Sequence, residues 1–99
     1  MKKLLLAVIV SLSTISTAAL SEIKVGIILG FTGPIETLTP AMRDSAKLAF
    51  AEVSDSGALL GGETITPLIG DSTCVDSDAA VAAAEIIVND GAVAIMGAD

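Results

Sequence analysis

A few groups of residues in this 99-residue chain have types and spacings that could do chemistry. The turn Gly30-Phe-Thr-Gly33 is a candidate phosphate cradle. A dinucleotide fingerprint needs Gly at i, i+2 and i+5. Those positions hold Gly30, Thr32 and Ile35, and no Gly-Lys-Ser/Thr follows, so the phosphate reading fails. Asp71, Asp76 and Asp78 form an acidic cluster. A calcium loop requires D-x-[DN]-x-[DN]-G spacing, and Asp76-Ser-Asp78 runs into Ala. Helix capping accounts for Asp76 and Asp78, while Asp71 faces either a cleft or solvent. Cys74 is the single cysteine, in a chain with no His to activate it. It is either an inert buried thiol or half of a disulfide whose partner lies elsewhere. Gly26-x-x-x-Gly30 has the spacing of a membrane-helix dimer motif, but it lies in a strand. Without His, the commonest general base and metal ligand is missing. No nucleophile–base pair or cofactor loop is visible. The expectation is no enzyme, no cofactor and no metal.

These residues are held by alternating strands and helices. Residues 23–29 are apolar except Lys24, which reads as a strand buried on both faces. Residues 30–38 are a loop marked by two Gly and a Pro. Thr39-Pro40 reads as an N-cap followed by Pro at the first helical position. The helix runs over 40–55, with Met42, Ala46, Ala49, Phe50 and Val53 on its apolar face and Arg43, Asp44, Lys47 and Glu52 mostly on the solvated one. Gly57 is a left-handed cap. The turn at 58–62 carries two exposed leucines. Residues 64–70 are a second strand, and Pro67 argues for a sheet edge. Asp76 caps a second helix, with Asp78 in its first turn. Its apolar stripe is Val81, Ala84 and Val88, with Ala80, Ala83 and Ile87 alongside. Asn89-Asp-Gly91 ends it, and residues 92–96 form the third strand. The fold class is α/β, a β-α-β-α-β start of a doubly wound parallel sheet. Right-handed crossovers put the first strand between the other two. Ligands in such sheets sit at the carboxyl ends of the strands. Here those are residues 30–38, 71–75 and 97 onward.

Residues 1–21 have a different character. Lys2-Lys3 precede an apolar run over 4–10, hydroxyl residues follow, and small residues pair at several possible cleavage positions near 18–21. This is the order of a cleaved secretory signal. A membrane span needs about 20 largely apolar residues, and this run is interrupted after about ten. No Cys stands at a cleavage position, which argues against a lipid anchor. The expected product is soluble and exported, over residues 22–99. It keeps three basic and twelve acidic residues, a net charge of −9. A nucleic-acid binder neutralises phosphates with Lys and Arg, so nucleic acid is excluded as a partner.

Ile23-Lys-Val-Gly-Ile-Ile-Leu followed by Thr32-Gly33-Pro34 resembles the opening of the mature leucine/isoleucine/valine-type periplasmic binding proteins. The likeness continues through Arg43-Asp-Ser-Ala-Lys-Leu-Ala-Phe, Leu60-Gly-Gly62 and Gly70-Asp-Ser-Thr-Cys-Val-Asp76. It ends with Ala79-Ala-Val-Ala-Ala-Ala, Asn89-Asp-Gly91 and Ala94-Ile-Met-Gly97. No single motif is decisive, but the ordered set covers residues 23–99. The resemblance implies an exported, periplasmic solute-binding component of an ABC importer, for branched-chain or similar amino acids. Its partners would be a small-molecule solute and an ABC permease in the inner membrane. It also implies two lobes closing on the ligand, of which this chain would be the first part of one. Family members place a side chain over the ligand near the position matching Leu38, which is aromatic in some and is Leu here. Thr32 on the same loop could supply a hydroxyl. Asp99 stands at the start of the family's carboxylate-binding loop. In some members a Cys of that loop pairs with the one matching Cys74, so the resemblance favours a disulfide partner outside this chain. A ligand-sensing domain of a receptor or regulator would share the fold, and is the alternative.

Overall fold

The computed structural model describes residues 22–99. The signal expected over residues 1–21 lies outside them. The described residues form β1 (Glu22–Leu29), α1 (Thr39–Asp55), β2 (Thr64–Asp71), α2 (Ser77–Asn89) and β3 (Ala92–Met96). The three strands make one sheet in the order β2-β1-β3, and both pairings are parallel. The first strand is therefore central, as expected of a doubly wound sheet. The chain moves one way from β1 to β2 through α1, then the other way from β2 past β1 to β3 through α2, so crossovers of one hand put α1 and α2 on opposite faces.

The central strand is the core. Ile27, Ile28 and Leu29 are buried, joined only by Ile87 of α2 among large apolar residues. Consecutive strand residues face opposite sides. In register with β2, Gly26 and Ile28 share a face with Leu68 and Gly70. That face receives α2. A methyl group built on Gly26 would lie 2.7 Å from Ile87 Cγ2, and one on Gly70 would lie 3.0 Å from Ile87 Cδ1. Two glycines thus make a shallow seat for one isoleucine. Pro67 opposes Val25 on β2, an edge strand, where its missing N–H faces away from β1.

Three local expectations change. Thr39 is not the N-cap. The cap position is Leu38, in helical conformation and with no side-chain cap bond, and Thr39 is the first helical residue. Fully buried, Thr39 instead donates its hydroxyl to the Gly30 carbonyl at 3.0 Å, tying the helix start to the end of β1. The packed face of α1 is also rotated. Arg43, Ala46, Phe50 and Ser54 are half-buried, whereas Met42 and Val53 are exposed. Ser54 Oγ accepts the Ile65 amide at 2.9 Å, a polar tie from α1 to β2. On α2, Ile87 with Ala80, Ala83 and Ala84 turns inward, while Val81 and Val88 are exposed. Other expectations hold. Gly57 has φ +67 just past the end of α1. Asp76 caps α2 by accepting the amides of Asp78 and Ala79 at 2.9 and 3.3 Å. The expectation of two exposed leucines in the following turn holds only for Leu60, since Leu59 is half-buried.

Candidate functional site

The three loops at the carboxyl ends of the strands meet, and Asp71 is where two of them join. One carboxylate oxygen accepts the amides of Phe31 at 2.9 Å, Thr32 at 3.3 Å and Thr73 at 2.9 Å. The other accepts the Thr32 hydroxyl at 2.7 Å. The Thr32 hydroxyl above all, then the Thr73 amide, holds the Asp71 carboxyl below its ordinary value; desolvation opposes this, and the Thr32 and Phe31 amides add to it. Asp71 is thus neither simply solvated nor open to a cleft; it is an acceptor already filled by protein donors.

Ser72, next in sequence, is buried, and its amide donates to the Leu29 carbonyl at 3.0 Å. Its hydroxyl accepts the Cys74 amide at 3.3 Å and donates to Asp99 at 3.1 Å. The same Asp99 oxygen accepts the Gly30 amide at 3.0 Å. The three loops are therefore cross-linked by two carboxylates, Asp71 between the first and second and Asp99 among all three. The second loop is strained. Thr73 and Cys74 have φ of 60° and 66°, a region non-glycine residues rarely adopt. The first loop fits closely against it. Gly33 has φ +100, and a methyl group there would lie 2.6 Å from the Thr73 carbonyl oxygen. Only glycine meets both conditions.

Beside this junction lies an open cavity of about 310 Å³, lined by Ser72, Cys74, Val75, Asp76, Ser77, Ala80 and Asp99. It spans the β2–α2 loop, the first turn of α2 and the end of the chain after β3. That is the position at which open α/β sheets bind ligands. The lining combines hydroxyls, two carboxylates and an apolar wall of Val75 and Ala80. Cys74 has a free thiol and is half-buried. Among the described residues no group of three or more His, Cys, Asp and Glu side chains is placed to hold a metal ion. No described helix is long and apolar enough to cross a membrane.

A family model for periplasmic binding proteins matches residues 22–99, every residue described here. The chain belongs to the periplasmic binding protein family. No curated protein matches it. Proteins of this family are of solute-binding type and generally non-enzymatic. The two-helix, three-strand parallel arrangement is the β-α-β-α-β unit expected of this family.

The geometry brings Cys74 and Asp99 together on the cavity wall. Thr32 and Leu38 do not line it. Thr32 is exposed, and its hydroxyl proton goes to Asp71, leaving oxygen lone pairs to face outward. Leu38 is exposed at the start of α1. Asp99 meets the other loops through its side chain. The sequence does not show the Ser72–Asp99 bond or the donors gathered on Asp71. The available signal was Asp-Ser-Thr directly after a strand, residue types whose side chains bond nearby amides in turns.

Proposed function

We propose that this periplasmic binding protein is exported by a signal over residues 1–21 and serves as the solute-binding component of an ABC importer. The solute is a branched-chain or similar amino acid, and residues 22–99 are part of its first lobe. The family match over 22–99 carries this reading. The cavity lining supports the solute class. The Ser77 hydroxyl suits a carboxylate, the acids Asp76 and Asp99 suit an ammonium, and Val75 and Ala80 suit an aliphatic side chain. On this reading the activity is capture and release. Closure of a second lobe over the strand ends would bury the solute, and the closed form would be read by an inner-membrane permease. Cys74, free here, would pair with a cysteine supplied from beyond these residues.

The test is calorimetric titration of the complete gene product with the twenty common L-amino acids. Saturable heat with leucine, isoleucine or valine supports the reading. Heat only with other classes of amino acid moves the specificity. Silence throughout, in a folded product that carries a signalling segment downstream, favours a sensor domain of the same fold.

A further inference from the structure

Asp71 lies outside the cavity lining yet holds more of the loop architecture than any residue within it. Its four donors come from two loops separated by about forty positions in sequence: Phe31 and Thr32 (twice) on one side, Thr73 on the other. Thr73 is one of two adjacent non-glycine residues in the left-handed region, a conformation that persists only where surrounding contacts over-determine it. The neighbouring loop offers no substitute. Phe31 donates otherwise only to the Leu29 carbonyl, and Gly33 meets Thr73 without bonding it. Three charged groups near the junction are already engaged. Asp99 takes Gly30 and Ser72, Asp76 caps α2, and Arg43 pairs with Asp44 while lying 5.7 Å from the Phe31 ring centre.

We propose that Asp71 is a positioning residue for solute binding: its carboxylate clasps the β1–α1 loop to the β2–α2 loop, and so fixes the cavity wall from Ser72 to Val75 without touching the solute. This rests on the solute-binding reading, and the test separates the two. A carboxylate suits the task because it is acceptor-only, and all four partners are donors. Asparagine with its oxygen in place of Oδ1 keeps an acceptor for the Phe31, Thr32 and Thr73 amides but sets an NH2 against the Thr32 hydroxyl, so it loses the charge and the acceptor for that hydroxyl alone.

The experiment compares the complete gene product with Asp71→Asn and Asp71→Ala, using amide exchange by NMR and titration with L-leucine. In the wild type, the Phe31, Thr32 and Thr73 amide shifts should follow pH with one common midpoint, and this shared titration should vanish in both variants. Asp71→Ala should speed exchange at Thr32 and Thr73, and weaken leucine binding, by about tenfold or more, as expected for losing charge-assisted bonds. Asp71→Asn should recover part of the affinity. Unchanged exchange in Asp71→Ala overturns the clasp. Faster exchange with unchanged leucine affinity overturns the positioning role while leaving solute binding intact. No binding of leucine or of any other common L-amino acid by a wild type that shows the common titration overturns the solute reading and this role with it. If Asp71→Ala does not fold, Asp71→Asn decides: amide shifts that still share the wild-type midpoint overturn the clasp.

Discussion

Gly33 is held by two independent constraints, a positive φ and the Thr73 carbonyl oxygen. Gly57 has only the first, since nothing lies within 4 Å of a methyl group built there. Gly33→Ala should therefore cost more than Gly57→Ala. A left-handed alanine costs on the order of 1 kcal/mol, and the clash at Gly33 adds to it by forcing the two loops apart. Urea denaturation of the two variants checks this, and equal losses would remove the close approach as a cause. Asp71 yields a second prediction with a definite sign. Its carboxyl is held below its ordinary value of 3.8, so its contribution is present above that value and lost as pH falls through the lower folded one. Acid titration should loosen the Thr32 and Thr73 amides in that window, and Asp71→Asn should abolish the dependence. The role of Asp71 could not be read from the sequence. Its donors at 31 and 32 lie across a helix and a strand, and only the fold sets them beside it. Asp76 was legible because its donors, Asp78 and Ala79, are two and three residues away.

Elements were more legible than their faces. Strand order, the central position of β1 and the edge position of Pro67 follow from apolar runs and the crossover rule. The rotation of each helix does not, because alanine-rich helices have small apolar residues on several sides and periodicity cannot rank them. On α2 the sheet decides. Gly26 and Gly70 open a seat that fits Ile87, and Val81 and Val88 are left outside. This gives a paired test. Ile87→Ala should cost about 2–5 kcal/mol, the range for emptying a buried aliphatic site. Ile86→Ala, at a position 63% exposed, should stay within about 0.5 kcal/mol. Equal losses from thermal or urea unfolding would place α2 in the other rotation. Thr39 was misplaced by one position for a related reason. Thr-Pro is an ordinary helix start, but here the Gly30 carbonyl at the end of β1 takes the hydroxyl that a cap would have used.

At the scale of the whole molecule, apolar surface outruns the core available to bury it. Only Ile27, Ile28, Leu29 and Ile87 are buried among the large apolar residues described, while Val93, Ile95 and Met96 on β3 remain open, Val93 at 74%. An edge strand of this composition is a template for pairing with another chain, and native proteins cover or charge such edges. Val93, Ile95 and Met96 stand in a row that lacks a charged residue. If residues 22–99 are part of a larger lobe, more of the same chain covers this edge and the carboxyl-end cavity. Produced alone, these residues should bind a hydrophobic dye and elute at a volume that depends on concentration. Val93→Lys should reduce both effects, because it charges the edge without touching the four buried residues. The same isolated segment should give no saturable heat with leucine, since a cavity open to solvent on one side leaves the solute half-hydrated. Micromolar leucine binding by residues 22–99 alone would show that the three loops suffice. The second lobe would then serve release and transfer rather than capture.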